Sequence, residues 1–262
     1  MRIDYYTANP TGNITLLAET PAEKRDYKTI ADRLMALNPR AEQAGFIGFN
    51  ENGFFLNMAG GEFCGNASMS AAAVFAQKQG INPGETMVIT LRVSGAEEPV
   101  NVSVKADESG TYECEIQMPP TKRITEREFS FEGKKYALPV VESEGISHII
   151  FEGEMQKKTA EKAVVQWCDE LNAGCLGIMF ADFEKNTISP LVYARDAGTL
   201  FWENSCASGT TAAGLYLAEK AGRDVDIALS QPGGALRIKT QKNARPLLCG
   251  SVRIEKKESI EI

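Results

Sequence analysis

The chain has 262 residues, 43% of them hydrophobic and 24% charged, with a formal net charge of −7. That length exceeds the usual single-domain size of about 100–150 residues and fits two domains, each able to bury a core. No apolar run approaches the roughly 20 residues of a membrane span, no basic tract offers a footprint for nucleic acid, and one histidine without a CxxC or CxxxC pair excludes a conventional Cys/His metal site.

Six cysteines are too sparse for a disulfide scaffold. Met1 to Tyr6 lacks the apolar core of a signal peptide and carries Asp4, so a soluble, cytoplasmic protein acting on a small molecule is expected.

In chain order, short alternating or apolar runs predict strands at 2–7, 13–18, 45–49, 53–58, 86–93, 101–105 and 112–118. Between them, Glu23 to Leu37 reads as an amphipathic helix, and a second helix follows Cys64. Pro119-Pro120 marks a break, which places a first domain at 1–119 and a second at 120–262, with the last strand able to pack back on the first. The second half repeats the order, with strands at 136–142, 147–152, 175–181 and 191–194, a helix from Lys157 to Asn172, and a helix after Cys206. Strands at 225–230, 235–240 and 247–254 close the chain, and Glu255 to Glu258 reads as a solvated strand edge or turn. The fold class is α+β.

The two helices after the cysteines begin alike. Phe63-Cys64-Gly65-Asn66-Ala67-Ser68 and Ser205-Cys206-Ala207-Ser208-Gly209-Thr210 lie 142 positions apart, and the same offset carries Ala71 onto Ala213, Ala76 onto Ala218, Lys78 onto Lys220 and Gly80 onto Gly222. A duplicated chain follows. Both helices are apolar on nearly every face, which implies burial all round inside a curved sheet. Each cysteine sits at an N-cap, where free backbone N–H groups and the helix dipole favour a thiolate and hold a carboxylate. A thiol and a thiolate on opposite sides of a small ligand suit inversion at carbon, one removing the α-proton and the other delivering a proton to the opposite face. Cys114, Cys168, Cys175 and Cys249 lack this setting and read as ordinary buried thiols.

These residues give the chain its resemblance. Glu62-Phe63-Cys64-Gly65-Asn66-Ala67 and Cys206-Ala207-Ser208-Gly209 resemble the two catalytic-cysteine segments of the diaminopimelate epimerase-like superfamily of cofactor-independent racemases and epimerases. Thr11-Gly12-Asn13 resembles its early Gly-Asn, and Ser147-His148 its Pro-His pair. The resemblance implies two pseudo-symmetric domains, each a curved mixed or antiparallel sheet wrapped around a central helix, with Cys64 and Cys206 as catalytic residues. It also implies substrate binding by Asn13, Asn57, Glu62, Gly65, Asn66, His148, Glu203, Ala207, Ser208 and Gly209, no cofactor, no metal, and a homodimer.

The departures concern substrate. A Tyr-Glu-Arg-Gly segment that holds the far end of diaminopimelate is replaced by Tyr193-Ala194-Arg195-Asp196, and Gly177-Ile178-Met179-Phe180 stands where Asn-Val-Asn-Phe is usual. The chain is therefore similar to the histidine racemases of metallophore synthesis. Phe201 and Trp202 read as a side-chain pocket or as strand core, and Glu62 and Glu203 as ammonium ligands or as helix-start partners. Asn13 reads as a ligand or a plain turn residue, and His148 as a site or a core histidine. Two alternatives stay open: a diaminopimelate epimerase with a diverged distal site, and a redox-responsive binding protein in which Cys64 and Cys206 form a reversible disulfide.

Overall fold

A computed structural model describes residues 2–19, 23–195 and 198–261. The chain forms two compact units, Met1–Gln117 with Cys249–Ile262, and Met118–Leu248. The first opens with β1 (Arg2–Pro10), β2 (Thr15–Glu19), α1 (Tyr27–Leu37), β3 (Gln43–Asn50) and β4 (Gly53–Met58). It continues through α2 (Gly65–Lys78), β5 (Thr86–Val93), β6 (Val100–Ala106) and β7 (Thr111–Gln117). The second holds β8 (Thr121–Phe131), β9 (Lys134–Ser143), β10 (Ser147–Glu152), α3 (Lys157–Glu170), β11 (Cys175–Asp182), β12 (Thr187–Ala194), β13 (Thr199–Trp202), α4 (Ala207–Ala221), β14 (Asp226–Gln231) and β15 (Gly234–Lys239), before β16 (Leu247–Glu261).

In the first unit the strands run in the order β1 to β7, and β16 lies beside β7 while pairing antiparallel with β1, so the sheet closes on itself. Helices α1 and α2 each join a parallel pair, β2 with β3 and β4 with β5. The second unit uses the same succession: α3 joins parallel β10 and β11, α4 leads to β14 parallel with β12, and β8–β9, β9–β10, β11–β12, β12–β13 and β14–β15 pair antiparallel.

The patterning explains these elements. Along α1, Tyr27, Ile30, Ala31 and Leu34 recur at helical spacing and pack on β3, where the Tyr27 ring stacks on Phe46 at 3.8 Å. Strands β5 to β7 alternate strictly, burying Ile89, Leu91, Val93, Val102, Val104, Cys114 and Ile116 on the face that meets α2. Every residue of α2 from Gly65 to Ala76 is buried, as all-round apolarity demands. In the second unit Trp167 of α3 is fully buried among Phe129, Phe131 and Tyr136.

Several expectations need correction. Helix α1 begins at Tyr27 after a short 3-10 turn, Lys24–Asp26, rather than at Glu23. Strand β8 was missed because its first eight residues bury neither face and so show no alternation; pairing with β9 holds it. The charged run 255–258 is solvated strand and not turn: it lies within β16 paired with β1, where Lys257 sits opposite Tyr6 and donates to Glu19 at 2.7 Å, and Tyr5 donates to Glu258 at 2.8 Å. Helix α4 is buried only through Gly214; Leu215 to Ala218 are half-buried, with the Tyr216 hydroxyl donating to Glu152 at 2.6 Å.

Gly214 marks where α4 touches β15. A Cβ there would lie 2.6 Å from Ile238 Cγ2, so Gly214→Ala is expected to destabilise the protein by about 1–3 kcal/mol in urea unfolding, despite alanine's better helix propensity.

Candidate active site

Both cysteines cap their helices with the same geometry. Cys64 has φ −134° and ψ 113°, Cys206 φ −126° and ψ 111°; each Sγ accepts the N–H three residues on, from Ala67 and Gly209, at 3.4 Å. The hydroxyls of Ser68 and Thr210 each donate to the carbonyl of the capping cysteine at 2.7 Å. The far ends match too. Gly80 and Gly222 take φ of 78° and 63°, and the next residue donates to the carbonyl of Ala76 or Ala218 at 3.2 Å, a left-handed stop that glycine adopts without strain. Cys64 and Cys206 are free thiols.

In the first unit a tight turn places Asn13. Thr11 and Gly12 both have positive φ, the Asn13 amide returns to Pro10 O at 3.1 Å, and Gly12 N–H donates to Asn9 Oδ1 at 2.8 Å. Asn13 is buried and reaches Cys64 through Gln43, whose Oε1 accepts from the Cys64 thiol at 2.9 Å. Gly65 and Asn66 are buried at the start of α2. The other two expected ligands turn elsewhere. Glu62 is exposed, and its carboxylate folds back over Gly60. The Asn57 side chain hydrogen-bonds the Tyr27 hydroxyl. Ser94 anchors the approach to Cys64, accepting from Met58 N and donating to Glu62 O at 2.9 Å.

In the second unit four expected residues converge on one thiol. Cys206 Sγ lies 3.5 Å from Ser208 Oγ, which lies 3.1 Å from His148 Nε2; Glu203 hydrogen-bonds the thiol, and Gly209 caps it. Ala207 is buried beside it. Gly209 is required for space: a Cβ there would overlap Met179 Sδ and sit 3.2 Å from Cys206 Sγ. Gln231 locks the backbone, accepting from Cys206 N at 2.8 Å and donating to Thr210 Oγ1 at 2.9 Å.

The expected lowering of the cysteine pKa fails at Cys206. Burial, followed by the negative charge of Glu203, raises it well above the ordinary value and outweighs the hydrogen bonds from Ser208 and Gly209. His148 is likewise governed by burial, which lowers its pKa to about 3 and keeps the ring neutral; Nδ1 finds no hydrogen-bond partner among the described residues. An unfolded histidine protonates near pH 6.5. The unfolded chain therefore binds the extra proton as pH falls from about 6.5 toward 3, and stability drops through that window by up to about 1.4 kcal/mol per unit. Because the sequence holds one histidine, its ring resonances are expected to stay constant between pH 5 and 8. A midpoint near 6.5 in the native protein would contradict a buried neutral ring.

The Phe201–Trp202 pair divides. Trp202 belongs to the core, stacking on Phe180 at 5.6 Å and donating from Nε1 to Glu161 at 3.0 Å. Phe201 stays 46% exposed, in the register row His148, Gly177, Val192, Phe201 that crosses β10 to β13. Asp196 lies outside the described residues.

Gln43, Gln231 and Ser94 escaped the sequence reading, because a lone amide or hydroxyl in a strand or loop carries no motif. Only Thr15–Gln43 pairing in the β2–β3 ladder shows that Gln43 neighbours the turn holding Asn13.

A mixed sheet with few helices, and a cysteine capping a buried helix in each unit, places this fold in the class of the amino-acid racemases and epimerases. The solved structure of a hydroxyproline epimerase from Agrobacterium vitis with bound trans-4-hydroxy-L-proline matches with a TM-score of 0.71 at 11% identity, covering 99% of this chain and 92% of that one. The chain belongs to the family described as the histidine racemase CntK N-terminal domain, which matches residues 2–260. It is 35% identical over 242 residues to the histidine racemase of Fusobacterium nucleatum subsp. nucleatum, covering 89% of this chain and 88% of the relative. It is 28% identical over 258 residues to the histidine racemase of Staphylococcus aureus strain Mu50, covering 92% and 89%. Among the described residues no helix is long and apolar enough to cross a membrane.

Proposed function

We propose that this chain interconverts L- and D-histidine without a cofactor, using Cys64 and Cys206 as its two acid–base groups. One observation carries the reading: two thiols in the same N-cap geometry, each at the positive end of a buried helix and accepting an N–H of its first turn. One thiolate takes the α-proton while the other thiol supplies a proton to the opposite face. The amino-acid carboxylate docks on backbone N–H groups at Gly65–Asn66 and Ala207–Ser208, which also stabilise the charge that develops as the α-proton leaves. Glu203 serves the thiol of Cys206, and Phe201 meets the imidazole side chain. In this reading the halves 1–119 and 120–262 are pseudo-symmetric domains, each wrapped on a central helix, in a cytoplasmic homodimer that supplies D-histidine to metallophore synthesis.

The test is α-proton exchange by NMR in deuterated buffer with reductant, on L-histidine, D-histidine, a panel of other L-amino acids and LL-diaminopimelate. Exchange of histidine with loss of optical rotation is expected. Exchange confined to diaminopimelate, or none with any member, would overturn the assignment.

A further inference from the structure

The hydrogen-bond chain behind Cys64 has its direction set by one carboxylate. Glu42 Oε2 accepts from Asn13 Nδ2 at 2.6 Å, so the NH2 end of Asn13 faces that carboxyl group. That leaves Asn13 Oδ1 toward Gln43, which must present Nε2 to it, at 2.5 Å. A second contact enforces the same choice. The Thr15 hydroxyl gives its proton to Asn13 O at 3.1 Å, so its oxygen accepts from Gln43 Nε2 at 2.8 Å. Gln43 therefore has only its oxygen to offer the thiol of Cys64, 2.9 Å away. An amide oxygen accepts a hydrogen bond but does not take the proton, whereas the Glu203 carboxylate at Cys206 can.

We propose that Gln43 is a positioning residue that presents Cys64 as a protonated thiol, so that Cys64 is the proton donor of the forward step and Cys206, once Glu203 takes its proton, the base. This rests on the reading of both cysteines as the working thiols. In the forward step Cys206 passes its proton to Glu203 and becomes the thiolate. The thiolate then takes the α-proton as the C–H bond breaks, and Cys64 gives its own proton to the carbanion, ending as thiolate. Proton exchange with water resets the pair. The other carboxylate near the turn, Glu62, is folded over Gly60 and does not enter this chain.

The experiment is site-resolved alkylation of Cys64 by iodoacetamide, followed by mass spectrometry across pH 6–10 on the reduced full-length protein without substrate. Gln43→Met removes the acceptor and is expected to speed Cys64 alkylation at pH 7 by about three- to tenfold, the worth of one hydrogen bond. Gln43→Glu places a charged acceptor there and is expected to slow it by a similar factor. Glu42→Gln lets Asn13 turn but leaves Gln43 held by Thr15, and is expected to leave Cys64 alkylation within about twofold of the parent. Opposite shifts in the two Gln43 variants separate positioning from simple loss of packing. Unchanged alkylation in Gln43→Met, or shifts of one sign in both Gln43 variants, would overturn the proposal. Because alkylation needs no turnover, its outcome is independent of whether histidine proves to be the substrate.

Discussion

Cys64→Ser and Cys206→Ser will each abolish racemisation, with a loss of at least about 10³-fold in turnover, while leaving the fold intact. A serine hydroxyl ionises far above any working pH, so neither base nor acid can be replaced. The helices lose little, because serine is itself a preferred N-cap and its oxygen can accept the N–H groups of Ala67 and Gly209. Circular dichroism and thermal unfolding should therefore match the parent. A single remaining thiolate can still remove and return the α-proton on its own face, so deuterium exchange into one enantiomer should survive in each variant. The surviving enantiomer should differ between the two. Wild-type racemisation in either variant would end the two-thiol mechanism.

Glu203→Gln will lower turnover by about 10²-fold and move Cys206 in the opposite sense. The carboxylate that takes the thiol's proton is lost, and general-base assistance of this kind contributes about 10²–10⁴-fold. Burial is the larger cause of the raised Cys206 pKa and remains, but the repulsion between Glu203 and the thiolate disappears, so the alkylation midpoint of Cys206 should fall. Slower catalysis with a more easily ionised thiol is a combination that mere loosening of the site does not produce. Turnover within about twofold of the parent, or a midpoint that rises, would remove Glu203 from the proton path.

Much of the site was legible because it is local. Capping depends on a few consecutive residues, so the Cys-Gly-Asn and Cys-Ala-Ser-Gly segments gave both helix starts, and Gly80 and Gly222 gave both stops. Side chains that act across the fold were less legible. Glu62 and Glu203 are both glutamates three residues or fewer before a cysteine, yet one folds over Gly60 and the other reaches its thiol. Trp202 and Phe201 are adjacent, but the pleat sends one into the α3 core and leaves the other exposed.

The amino-acid sequence by itself determined the strand and helix succession apart from β8 and β13, the duplicated cysteine caps and the apolar helices behind them, since periodicity and capping are properties of neighbouring residues. Tertiary structure alone decided the ionisation of Cys206 and His148, because desolvation depends on how completely other elements enclose a group. It alone decided the company of Cys64 too: Gln43 and Asn13 are 21 and 51 positions away in the chain, and a parallel ladder and a tight turn bring them to the thiol.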